Sequence, residues 1–269
     1  MKKISAFLPG LRSVWIGVCV LSMLAQTRLL LGWSLVPGWL DGFVLGGAVF
    51  AYNFTHRDRL RKTAAWLGAT LGCLCFSWPL LSDFTMSGWQ TSVWAPLLMW
   101  LLYYGLQRPG NGGLRGVPAA KPFVVALVWA WVTVLLPVPP ERWSDAAFIF
   151  LGRAAFIFAL ALAYDVADEA YDRRQGLVTL AWQLGFSKTF LLINSALSIA
   201  ALCALANWHF QVYELHPAIG LLVSLVFSAW WLRFLLNKTE WSDWQKVWID
   251  ALMVGQFLIV WGSAAFVKE

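Results

Sequence analysis

Nine stretches of this chain are apolar over roughly the length a helix needs to cross a bilayer, and that recurrence constrains the fold more than any motif. They cover 13–32, 38–54, 64–81, 91–107, 121–138, 145–164, 187–206, 216–236 and 246–267. About 20 mainly apolar residues span the hydrocarbon core as a helix, and backbone in lipid must satisfy its own hydrogen bonds. The expectation is an all-α polytopic membrane protein of nine transmembrane helices in one domain, residues 1–269. Composition agrees: 60% of residues are hydrophobic and 13% charged, against about 25% charged in ordinary globular chains.

Orientation follows from the basic residues. Of twenty Lys and Arg, Arg28 and Arg153 sit within spans, and only Arg142 and Lys268 fall on one side. The other sixteen fall on the opposite side. The positive-inside rule puts the N-terminus in the cytoplasm and the C-terminus outside, as in a bacterial inner membrane. The net charge of +6 is spread over alternating loops, so it does not suggest a nucleic-acid partner. Cys19, Cys73, Cys75 and Cys203 lie in apolar segments without metal-type spacing and read as small buried hydrophobes. Met1-Lys2-Lys3 before an apolar run resembles a signal peptide, but no A-x-A site follows, so the run reads as a first helix. Gly38, Gly42 and Gly46, and Ala64, Gly68 and Gly72, repeat every four residues, a pattern that lets membrane helices approach closely. The stretch 109–118 reads as a flexible loop.

The chemistry concentrates at 163–185, where Asp165, Asp168, Glu169 and Asp172 follow a long apolar run. Their spacing places four carboxylates on one side if the helix continues through them. Like charges there repel, and a cation with phosphate relieves them. Mg²⁺ suits the site because it binds through one or two carboxylates plus substrate phosphates. A solvated helix end, with Arg173 and Arg174 as counter-charges, is the plainer alternative. Position at the mouth of a membrane helix favours function.

The pattern D-x-x-D-x-x-x-D-R-x-x-G, then T-L and a glycine, is formed by Asp165, Asp168, Asp172, Arg173, Gly176, Thr179, Leu180 and Gly185. It resembles the second aspartate motif of the UbiA superfamily of intramembrane prenyltransferases. The resemblance implies a nine-helix bundle with a central cavity open to the cytoplasm, and Mg²⁺ held by Asp165, Asp168 and Asp172. The implied reaction moves an isoprenoid group from a prenyl diphosphate to an aromatic or lipid-like hydrophobic acceptor. The family's first motif, N-D-x-x-D, is degenerate here. Asn53 is kept, Phe54 and Arg57 stand where aspartates would, and Asp58 is one position off.

Asn53, His56 and Arg57 lie at i, i+3 and i+4 and form a candidate phosphate-binding face, since guanidinium holds phosphate in a bidentate way. Arg59, Arg61 and Lys62 also fit anchorage to anionic lipid. The two polar patches are expected to meet at the inner rim of the cavity. Lys121 looks like the family's diphosphate-contacting lysine; a snorkelling interface lysine is the alternative. Arg153 and Arg28 lie within apolar spans and need partners. Tyr52, Tyr164 and Tyr171 are candidates to face an allylic cation. Two other readings are a non-catalytic protein of the same fold that binds an isoprenoid, a quinone or a partner, and a transporter. The second would call for broken helices or inverted repeats.

Overall fold

The computed structural model describes residues 8–54, 59–81, 92–99, 120–174, 178–237 and 243–265. Among them the regular elements are helical, with no strand. In chain order these are α1 (Leu8–Leu30), α2 (Trp39–Phe54), α3 (Arg59–Leu81), α4 (92–99), α5 (Ala120–Ala130), α6 (Trp143–Ala167), α7 (Glu169–Arg174), α8 (Leu180–His209), α9 (Leu215–Leu236) and α10 (Asp243–Ala265). Five of them, α1, α6, α8, α9 and α10, are long and apolar enough to cross a membrane. This is a helical membrane protein. The helix α2 has 16 residues, and α5 with its continuation, Ala120–Leu135, is a shorter apolar helix. Of the span expected at 91–107 only 92–99 falls among the described residues, and the loop 109–118 lies outside them.

The chain divides into two compact units, 1–87 and 88–269. In the first, α2 and α3 pack with their backbones nearly touching. A Cβ on Gly46 would lie 2.5 Å from the Gly68 carbonyl oxygen and 2.5 Å from the Gly72 nitrogen, and one on Gly68 would lie 2.7 Å from the Gly46 oxygen. The four-residue glycine spacing thus has its packing reason, except at Gly38, which precedes α2. Gly46→Ala is expected to destabilise this unit by about 1–3 kcal/mol through overpacking. Gly47→Ala, with nothing within 4 Å of the added carbon, serves as a control expected to stay within about 0.5 kcal/mol. Thermal unfolding of the two variants in detergent checks the difference.

The same unit supplies the partner for Arg28. Its guanidinium donates two hydrogen bonds to Asp41, Nη1 to Oδ1 at 2.9 Å and Nη2 to Oδ2 at 2.9 Å. Asp41 also accepts from the Gly38 amide at 2.6 Å. A bidentate, charge-assisted pair of this kind lets a cation sit in an apolar helix.

In the second unit α6 is the central helix, packed against α5 and α8. Phe156, Leu160, Leu162 and Ala163 are buried on it, and Gly152 gives close access to Ala200 and Cys203 of α8. At its C-terminal end α5 widens into a π-helical turn, Trp131–Leu135. Such turns often sit where a side chain has a special role. Here Thr133 lies in the turn and accepts a hydrogen bond from Arg153 Nη1 at 3.2 Å, so the buried arginine of α6 is met by a hydroxyl. The outer face of α9 exposes Ile219, Val223, Val226 and Trp230, at helical spacing, while Ser224 and Ser228 are buried. On α10 Leu258 and Trp261 are exposed, and Asp250 and Gln256 are buried. Apolar outside and polar inside is the pattern of helices surrounded by lipid, where polar side chains serve interhelical contacts.

Near its start α8 is kinked at Gly185, whose φ of 72° and ψ of 166° are not helical. That region of backbone space is essentially reserved for glycine, which accounts for a glycine at this place.

Candidate functional site

Near its C-terminal end α6 carries Asp165, fully buried. Lys121, in the first turn of α5, places its ammonium 2.7 Å from Asp165 Oδ1 and 3.8 Å from Asp172 Oδ2. Apart from that ion pair neither oxygen of Asp165 has a hydrogen-bond donor among the described residues. A buried carboxylate so thinly solvated by the protein is costly, and it favours a further cation or ordered water.

One turn on, α6 ends. Asp168 is its C-cap, with φ −94° and ψ 0°, and it forms an ion pair with Lys246 of α10. The Asp168 amide still bonds to the Tyr164 carbonyl at 2.8 Å, and the Asp172 amide to the Asp168 carbonyl at 2.8 Å. The helical path therefore resumes after one residue as α7, keeping Asp165 and Asp172 within reach of the same lysine. Glu169 is the exception. It pairs along α7 with Arg173 at 2.6 Å, so the expected face of four carboxylates becomes three aspartates with Glu169 engaged elsewhere. Arg173 in turn lies over the Trp182 ring at 5.3 Å, and Thr179 caps α8 by accepting from the Trp182 amide at 3.3 Å.

The site thus sets three aspartates against two lysines, from α5 and α10. With all five ionised it holds one excess negative charge. Both lysines stand in the first turn of a helix, where the macrodipole adds positive potential. The sequence reading missed Lys246. Its one signal was a lysine opening a late apolar segment; Lys121 opens a segment too but was singled out by resemblance to the family's lysine. Tyr164 donates from its hydroxyl to the Lys246 carbonyl at 2.8 Å, so this tyrosine is occupied in joining α6 to α10.

Among the described residues no group of three or more His, Cys, Asp or Glu side chains converges as a metal cage. The Asp165 carboxylate, met by the Lys121 ammonium and by no hydrogen-bond donor besides it among the described residues, and the all-oxygen donor set would nevertheless suit Mg²⁺, which keeps waters and uses one or two carboxylates with substrate phosphate.

The remaining sequence candidates, apart from Tyr171, lie in the first unit. Asn53 is buried; its Oδ1 accepts from Ser13 at 3.0 Å and its Nδ2 donates to the Val49 carbonyl at 2.7 Å, which ties α1 to α2. His56 and Arg57 lie outside the described residues. Tyr52 carries Arg12 over its ring at 5.8 Å. The side chain of Tyr171, in the second unit, is outside the described set. No family model and no curated protein matches the chain.

Proposed function

We propose that this protein is an intramembrane prenyltransferase of UbiA type, moving an isoprenoid group from its diphosphate to an aromatic or lipid-like acceptor. The observation that carries the reading is the buried Asp165 with Asp168 and Asp172, matched by lysines from two other helices. The resemblance of Asp165 through Gly185 to the family's second aspartate motif supports it. So does the membrane setting, which suits an isoprenoid tail. The finer topology belongs to the same proposal: nine spans, N-terminus cytoplasmic, C-terminus outside, in a bacterial inner membrane.

In this reading the diphosphate headgroup binds at the end of α6, with Lys121 over its oxygens. Asp165, Asp168 and Asp172 are the residues that would hold Mg²⁺, and the metal would supply Lewis-acid neutralisation of charge on the diphosphate. The allylic C–O bond breaks and its electron pair leaves with diphosphate. Lys121 is placed where that negative charge grows, the arrangement that stabilises a transition state most. The acceptor then bonds to the allylic carbon and releases its proton, and buried apolar helices keep water from the cation. His56 and Arg57 remain phosphate-binding candidates on sequence grounds.

A second reading is a non-catalytic protein of the same fold that binds an isoprenoid, a quinone or a partner. Phe54 and Arg57 at the family's aspartate positions favour it. Incubating the purified chain with a labelled prenyl diphosphate, Mg²⁺ and a lipid extract separates the two. Labelled lipid product supports transfer; Mg²⁺-dependent retention of intact diphosphate without product supports the binder and overturns the enzyme.

A further inference from the structure

We infer that Lys246 is a second diphosphate-binding residue of this site, held on Asp168 when no anion is bound. The inference rests on the prenyl-transfer reading and extends it to a helix that the sequence motifs do not reach. Lys121 serves Asp165 and Asp172, which leaves Asp168 to Lys246. The Tyr164 hydroxyl already joins α6 to the first turn of α10 through the Lys246 carbonyl. The backbone of Lys246 thus has a tie to α6 that does not use its ammonium. Both side chains keep some solvent access, 17% for Lys246 and 25% for Asp168, so an anion has a route to them.

A lysine ammonium is a compact charge on a flexible stem. When Asp168 turns to a cation carried with diphosphate, the ammonium loses its carboxylate and the nearest replacement is a phosphate oxygen. The exchange moves one hydrogen-bonded contact and breaks no covalent bond. Lys121 and Lys246 would then grip the headgroup from α5 and α10, both packed against α6.

The test is calorimetric titration of the full-length chain in detergent with inorganic pyrophosphate and Mg²⁺, for wild type, Lys246→Met and Lys246→Arg, with a thermal midpoint for each. Wild type is expected to bind, Lys246→Met to bind about tenfold to a hundredfold more weakly, as loss of one charge-assisted hydrogen bond implies, and Lys246→Arg to recover to within about threefold because the cation is retained. Equal binding by wild type and Lys246→Met overturns the inference and leaves the prenyl-transfer reading standing. Equal loss of binding in both variants with equally lowered midpoints also overturns it, since that is what a purely structural pair gives. No binding by wild type overturns the inference together with the reading beneath it.

Discussion

Asp168→Asn is expected to lower Mg²⁺-dependent prenyl transfer by about a thousandfold while the protein stays inserted and folded. Asparagine keeps the size of the side chain and still accepts a hydrogen bond from Lys246, so the junction of α6 and α10, which Tyr164 also holds, survives. What disappears is one negative oxygen donor. A neutral amide is a poor ligand for a hard divalent cation beside phosphate, and loss of a preorganised charge at a reacting centre removes about two to three orders of magnitude in rate. The variant is measured by transfer rate at saturating Mg²⁺ alongside its melting midpoint. Unchanged turnover would remove Asp168 from the chemistry.

The second large effect concerns stability. Lys121→Met strands Asp165, which is fully buried and has no other donor among the described residues. Breaking a buried pair from one side costs about 3–5 kcal/mol. Lys121 keeps 38% of its side chain exposed, and solvent screening reduces the figure, so about 2 kcal/mol is expected. Asp165→Asn should cost less, because it leaves the partly exposed lysine behind, able to reach water and still near Asp172. Adding Asp165→Asn to Lys121→Met should recover most of the loss. Equilibrium unfolding of the two single variants and the double variant measures the coupling. Equal costs for the two single variants, with no recovery in the double, would contradict the burial asymmetry.

The helical character of the chain was legible because apolar runs of membrane length have few alternatives. Close packing at Gly46, Gly68 and Gly72 was legible for a similar reason, since small residues at four-residue spacing report on a helix face. That Asp165 and Asp172 come within reach of one lysine was legible from their i, i+7 spacing too. The Glu169–Arg173 pair, an i, i+4 contact, was legible in the plainer reading of a helix end with arginine counter-charges. Lys246 itself escaped notice: it meets Asp168 across 78 residues, and local periodicity carries no information at that range. The partners of the in-span arginines were hidden in the same way. Asp41 lies 13 residues from Arg28, across a turn, and Thr133 reaches Arg153 from the π-helical end of α5.

The most direct test of the central claim, that Asp165, Asp168 and Asp172 with their lysines form a magnesium–diphosphate site, is equilibrium binding of a labelled prenyl diphosphate to the full-length chain in nanodiscs, with Mg²⁺ and then with EDTA. Saturable binding that EDTA abolishes in wild type, and that is already lost with Mg²⁺ present in Asp168→Asn, is the predicted result. Absence of saturable binding, or binding that is indifferent to both EDTA and the substitution, would contradict it.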